Sequence, residues 1–289
     1  MNRLDECRIA FIGAGKVGFS LGKFFADNGV HVTGYYSRHV ESARQAAEFT
    51  NSTLYEDLES LVAGNDVIFL TVPDGEIKSV YSRIRGFDIV DKHICHCSGS
   101  MTAREAFPDI EQYGAEGYSI HPLFPVSDKL TSYRELSDAF FCLEGDSDSI
   151  QMYQNFFGEH CAGVKIISDE NKSKYHAACV VASNLYCGLM KLSLELMSEC
   201  DFEEDEALRA LSPLVSSNLK HILSDGPVKS LTGPVDRGDI VTINRHLDCL
   251  NPGCDSELYL AATKKLLDIA KIKNPDRDYS DFDELKVRE

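Results

Sequence analysis

Over roughly the first 170 residues, short apolar runs alternate with segments whose apolar residues recur at helical spacing. Ile9-Ala10-Phe11-Ile12 reads as a strand, and the segment after it carries Val17, Leu21, Phe24 and Phe25 on one side until Asn28-Gly29 closes it. Further strands are expected at Val30 to Tyr36, Ser52 to Tyr55, Asp66 to Pro73 and Lys92 to Cys97. Others follow at Glu116 to Ile120 (breaking at His121-Pro122), Phe140 to Leu143 and Val164 to Ile167. Helices fall between them at Val40 to Phe49, Glu56 to Ala63, Asp74 (as cap) to about Arg85, and Ser149 to His160. The run Val67 to Val72 is apolar without alternation, as a strand buried on both faces must be. Strand and helix in such succession imply an α/β fold with a doubly wound, mostly parallel sheet.

After Asp169 the period changes. Tyr175, Ala178, Ala182, Leu185, Leu189, Leu192 and Leu196 keep helical spacing from Asn171 to about Cys200 with no proline, which predicts one long helix. Asp201 with Glu204, Ser212-Pro213, Asp239 and Asp255 or Ser256 mark later helix starts, and Asp225-Gly226-Pro227 a break. The expected domains are therefore 1–167, built on the sheet, and 168–289, all helical. Asn274 to Glu289, mostly charged, is expected to be a loosely held tail.

The chemistry begins between the first strand and the first helix. Gly13-Ala14-Gly15-Lys16-Val17-Gly18 has the spacing of a dinucleotide-binding turn. Gly13 allows the turn, Gly15 lets amides approach a pyrophosphate, and Gly18 lets the helix pack on the sheet. Where an NAD site usually has an acid at the end of the second strand, this chain has Ser37 and Arg38. A cation there suits a 2′-phosphate, so NADP is expected over NAD.

Charge and cysteine narrow the partners. A net charge of −17 argues against nucleic acid and anionic membranes. No apolar run looks long enough to span a bilayer, and a cytoplasmic protein acting on a small-molecule substrate is expected. Of ten cysteines, only His93-Ile94-Cys95-His96-Cys97 forms a cluster. It lacks a second pair at zinc spacing, so buried reduced thiols are the expected reading and no metal site.

Ligands of such a sheet lie beyond the carboxyl ends of the strands. That directs attention to Val72-Pro73-Asp74, Ser98-Gly99-Ser100 and His121-Pro122, with Val72, Pro73 and Ser98 expected beside the cofactor and Ser98 and His121 beside the nicotinamide. From the helical part, Lys172, His176 and Asn184 fall on one stripe and would supply proton transfer and substrate orientation. Thr232 to Asp239, with two glycines, a proline and Arg237, is a shaped loop able to meet an anion or simply to start a helix.

With these motifs assembled the chain resembles the Rossmann-like oxidoreductases that carry a C-terminal helical domain of unknown function. Their relatives include 6-phosphogluconate dehydrogenases, hydroxyacid dehydrogenases, pyrroline-carboxylate reductases and deazaflavin-dependent NADP reductases. The matching stretches are Gly13 to Gly18, Thr71 to Asp74, His96 to Gly99, Ser119 to Leu123, Lys172 with Tyr175 to Ala178, Ser183-Asn184, and Leu231 to Asp239. The resemblance implies a nicotinamide cofactor, a site between the domains and a homodimer built through the helical domain. It implies no substrate beyond a small polar carbonyl, hydroxy or imino compound. Two other readings stand beside it: a non-catalytic dinucleotide-binding sensor or scaffold, and an imine reductase of the pyrroline-carboxylate type. In hydroxyacid dehydrogenases a lysine and an asparagine stand one helical turn apart. Here His176 is the residue one turn from Lys172, and Asn184 lies two turns further.

Overall fold

The computed structural model describes residues 3–145 and 149–286. They form two compact units, Met1–Ser183 and Asn184–Glu289. The sequence reading divides the chain at 167/168; the compact units divide after Ser183.

In the first unit the elements are β1 (Arg8–Ile12), α1 (Lys16–Asp27), β2 (His31–Tyr36), α2 (Val40–Thr50), β3 (Thr53–Leu54), α3 (Leu58–Gly64) and β4 (Val67–Leu70). They continue with α4 (Asp74–Ile84), β5 (His93–His96), α5 (Ala103–Ala106), β6 (Glu116–Leu123), β7 (Phe140–Glu144), α6 (Ile150–His160), β8 (Gly163–Ile166) and α7 (Lys172–Ala182). The sheet runs β3-β2-β1-β4-β5-β6-β7-β8 and is parallel except for β6 against β7, the doubly wound arrangement expected from the sequence. Because β1 and β4 are neighbours while their connections leave in opposite directions, a crevice opens above their carboxyl ends.

Both faces of the sheet are covered. Phe11, Phe25, Phe69, Tyr118, Phe141 and Phe157 pack on one side under α1 and α6. Ile12, Ile68, Leu70, Ile94 and Phe107 pack on the other under α3, α4 and α5. Cys95 belongs to the first cluster, while His96 presents its ring edge to Phe107 in the second, as strand alternation requires.

Three expectations for this unit need correction. β6 does not stop at His121-Pro122 but runs to Leu123, because β7 pairs with it antiparallel from Ser119 through Leu123. β5 pairs with β6 only as far as Ser119. Beyond that point one flank of β6 is unpaired, and a proline without an N–H is tolerated there. Asp74 is not the cap of α4; Pro73 holds that position, and the Asp74 carboxylate is used elsewhere. The long helix from Asn171 is interrupted at Ser183, whose backbone leaves helical geometry (φ −128°, ψ −76°).

The second unit contains helices and no strand among its described residues: α8 (Asn184–Ser198), α9 (Glu204–Ser230), α10 (Pro234–Arg237), α11 (Ile240–Cys249) and α12 (Cys254–Lys273). Asp239 caps α11 as expected, accepting from the Thr242 N–H at 3.0 Å. Glu203, not Asp201, occupies the cap position of α9. Pro213 lies inside α9, which kinks at Gly226 (φ 80°). Residues 274 to 286 are not a loose tail: Tyr279, Phe282 and Leu285 are buried with Leu231, Val235, Ile243 and Leu267. Within that cluster Asp236 is held by Asn274 (3.0 Å) and Lys273 (3.2 Å), so the acid of the Thr232 to Asp239 loop serves the fold. Asp169–Ser198 is long and apolar enough to cross a bilayer by length and composition, with mean hydropathy 1.4. That corrects the expectation that no such run exists.

Candidate functional site

The first part of the site is made by chain turns at the ends of β1, β2 and β4. Gly13 adopts φ 112°, and a Cβ there would stand 2.6 Å from the Thr71 carbonyl oxygen, so only glycine fits. Thr71 Oγ1 donates to the Gly13 carbonyl at 2.8 Å and ties β4 to the turn. Gly18 is buried against the same Thr71 and against Gly13. Gly15 differs: a Cβ there would meet nothing nearer than the Thr71 carbonyl at 3.9 Å, so its space is open to the crevice.

The crevice itself is a cleft of about 410 Å³. Gly13, Ala14, Gly15, Ser37, Arg38, Val72 and Pro73 line it, seven of the residues expected to hold a cofactor. Lys16 and Val17 open α1 beside it without lining it. Arg38 pairs with Glu76 across the cleft at 3.2 Å, and Arg83 and Lys129 also line it. A dinucleotide fits this architecture. The glycine turn leaves room at the opening of α1, whose first amides are free for an anion, and Arg38 stands just beyond β2.

A second cluster lies where β5 and β6 end and α7 begins. Lys172 is fully buried (0% exposed) and donates from Nζ to Ser119 Oγ at 2.5 Å, which donates to the Ser98 carbonyl at 3.2 Å. Burial lowers the Lys172 ammonium below its usual pKa, against the opposing charge of Glu144. The His121 Nδ1 lies 2.7 Å from the Tyr175 hydroxyl, and the His121 and His176 rings meet edge to face at 6.3 Å. A Cβ on Gly99 would stand 2.6 Å from His176 Cδ2 and 2.8 Å from His121 Nε2, so this glycine admits both imidazoles. Burial, and then the charges of Lys172 and His176, depress the His121 pKa to about 4, so the ring is neutral at physiological pH. Burial and neighbouring thiols raise the Tyr175 phenol far above its usual value and keep it protonated.

Ser98 is engaged locally. Its hydroxyl donates to Asp74 Oδ2 at 2.6 Å and accepts from the N–H groups of Ser100 and Met101. It does not line the cleft. Asn184 opens the second unit, after the break at Ser183. The helix that carries Lys172 and His176 therefore ends before Asn184, which begins the next one. Tyr175 is the member that sequence reasoning missed. It was counted among the apolar residues of a helix, and only its position opposite His121 reveals a polar use. Among the described residues no group of three or more histidine, cysteine or acidic side chains could hold a metal ion.

Comparison with known proteins agrees with this geometry. Residues 8–94 match the family described as NADP oxidoreductase, coenzyme F420-dependent, and residues 139–266 match a domain of unknown function, DUF2520. No curated protein matches the chain. Protein TM1727 from Thermotoga maritima shares 26% identity at a TM-score of 0.71, over 92% of this chain and 99% of its own. BF3122 from Bacteroides fragilis, provisionally described as an NADP oxidoreductase, shares 20% at 0.70, over 92% and 99%. A pyrroline-5-carboxylate reductase from Coxiella burnetii shares 17% at 0.58, over 92% and 97%. Further neighbours in fold are imine reductases.

Fold, cleft and partial family matches together support the class of oxidoreductases. Along the chain, a stretch similar to the coenzyme F420-dependent NADP oxidoreductase family precedes a stretch similar to DUF2520.

Proposed function

We propose that the protein uses NADP(H) to move a hydride to or from a small polar carbonyl, hydroxy or imino compound. The observation that carries this reading is a single cleft lined by both the Gly13 to Gly15 turn and Arg38. When bound, the nicotinamide nucleotide supplies or takes the hydride. The chain's own residues do the rest. The amides opening α1 take the pyrophosphate, and Val72 and Pro73 form a wall. Arg38 leaves Glu76 for the 2′-phosphate, which favours NADP over NAD.

Proton handling falls to His121 with His176 beside it. In this reading Tyr175 donates to His121 Nδ1, which puts the ring proton on Nε2, the atom that faces Gly99. A neutral imidazole there polarises a carbonyl or imine as its carbon is reduced, and His176 exchanges the proton. Lys172 touches Ser119 rather than open space, so it acts through position and charge.

Calorimetric titration tests the reading: wild type should bind NADPH at least about tenfold more tightly than NADH, and Arg38→Ala should remove the difference. Preference for NADH, or binding of neither, would overturn it.

The neighbours named as a pyrroline-5-carboxylate reductase and as imine reductases favour a second reading in which the substrate is a cyclic imine. NADPH absorbance across a panel of hydroxyacids, ketones and cyclic imines separates the two. We further propose that a second copy covers the apolar faces left open on α8 and α9, where Leu185, Leu214 and Leu223 are 56%, 59% and 85% exposed. A homodimer formed through the helical unit accounts for them.

A further inference from the structure

Lys129 lines the cleft, yet no nucleotide-binding pattern in the sequence points to it. It comes from the connection between β6 and β7, far along the chain from the glycine turn. That connection is built rather than slack. Asp128 Oδ1 accepts from the N–H groups of Leu130 (2.8 Å) and Thr131 (2.9 Å) and from the Thr131 hydroxyl (2.9 Å). The Asp128 N–H donates to Ser132 Oγ at 3.0 Å, and Ser132 and Leu136 are buried.

The turn is laid along the first turns of α1. Ser20 Oγ donates to the Asp128 carbonyl at 3.5 Å, the Lys16 charge acts on the Asp128 carboxylate, and Lys129 Nζ stands 5.5 Å from the centroid of the Phe19 ring. Arg38 has Glu76 for a partner, but Lys129 forms no ion pair among the described residues. A cation resting on a ring face at the edge of a cleft is weakly held and free to turn to an anion.

Resting on the NADP(H) reading above, we propose that Lys129 is a ligand of the cofactor's pyrophosphate, supplied by the β6–β7 connection. Phe19 beside Lys129, and Lys16 and Ser20 beside the adjacent Asp128, all belong to α1, whose opening amides face the pyrophosphate. Arg38 instead sits at the end of β2, where the phosphorylated ribose lies. The two cations therefore answer to different phosphates. Pyrophosphate is common to NADPH and NADH; the 2′-phosphate is not.

The test is calorimetric titration of NADPH and NADH into full-length wild type, Lys129→Met, Lys129→Arg and Arg38→Met, at low and at raised salt. Lys129→Met should weaken both nucleotides by the same factor, about tenfold, and that factor should shrink as salt rises. Lys129→Arg should retain most of the affinity, and Arg38→Met should weaken NADPH alone. Unchanged melting temperatures without nucleotide verify that the variants are folded, and Lys129→Gln or Arg38→Gln replaces a variant at its own position that is not. No loss at Lys129→Met, or a loss confined to NADPH, overturns the proposal. Failure of wild type to bind either nucleotide overturns the NADP(H) reading itself, and the wild-type arm tells the two failures apart.

Discussion

His96 shows at the scale of one side chain how burial sets chemistry. Its Nδ1 accepts from the Ser98 N–H at 3.1 Å, so in the neutral ring the proton is on Nε2, which is buried with no hydrogen-bond partner among the described residues. Burial, reinforced by the Lys172 charge, lowers its pKa to about 3. An unfolded histidine titrates near 6.5. As pH falls from about 6.5 toward 3, the unfolded chain takes up a proton that the folded chain refuses, and stability contributed by this residue is lost over that window. His121, lowered to about 4, acts in the same direction. Relief of acidic self-repulsion toward the pI near 4.9 works the other way, so the informative quantity is a difference. His96→Asn keeps an acceptor for Ser98 but does not titrate there. Its stability deficit against wild type, measured by urea unfolding, should shrink between pH 6.5 and 4. A deficit independent of pH would show that His96 titrates normally in the fold.

At the scale of elements, the second cluster depends on how far β6 extends. Antiparallel pairing with β7 carries β6 past the end of β5, which sets His121 opposite Tyr175 and His176 of α7. Three elements thus contribute one imidazole pair, a phenol and, through the β5 end, Gly99. His121→Asn and His176→Ala should each lower turnover at least about a hundredfold while NADPH affinity stays within a few fold. Tyr175→Phe should lower kcat more than it changes KM and should shift the pH profile, because the His121 tautomer is no longer imposed. Full activity in both histidine variants would sink this assignment. The residues His121, Lys172 and His176, and their facing one another, were legible in the sequence, but the pairing of His121 with Tyr175 was not. Pro122 looked like a strand end, and Tyr175 like a core position, because both signals are local while the pairing that overrides them comes from β7 and α7.

At the scale of the whole molecule, the helical unit leaves much of its apolar surface uncovered. Leu185, Leu189, Leu208, Leu214, Leu219, Ile222 and Leu223 all remain exposed on α8 and α9. A chain of 32.1 kDa that buries these faces against a second copy should elute and scatter as a species of twice that mass. Leu214→Glu with Leu223→Glu should shift it toward the single mass. A monomeric wild type, or one recovered with lipid through Asp169–Ser198, would refute the dimer.

The sequence alone determined the alternating elements, the glycine turn, the cation at the end of β2 and the change to helices, because each is written in contiguous residues with a fixed period or a required backbone conformation. Tertiary structure decided what depends on contacts between distant segments. It extended β6 beyond its proline, broke the long helix at Ser183, and docked the C-terminal residues through Tyr279 and Phe282. It also brought Lys129 to the cleft. Such outcomes follow from which surfaces must be buried together, and no local pattern encodes that.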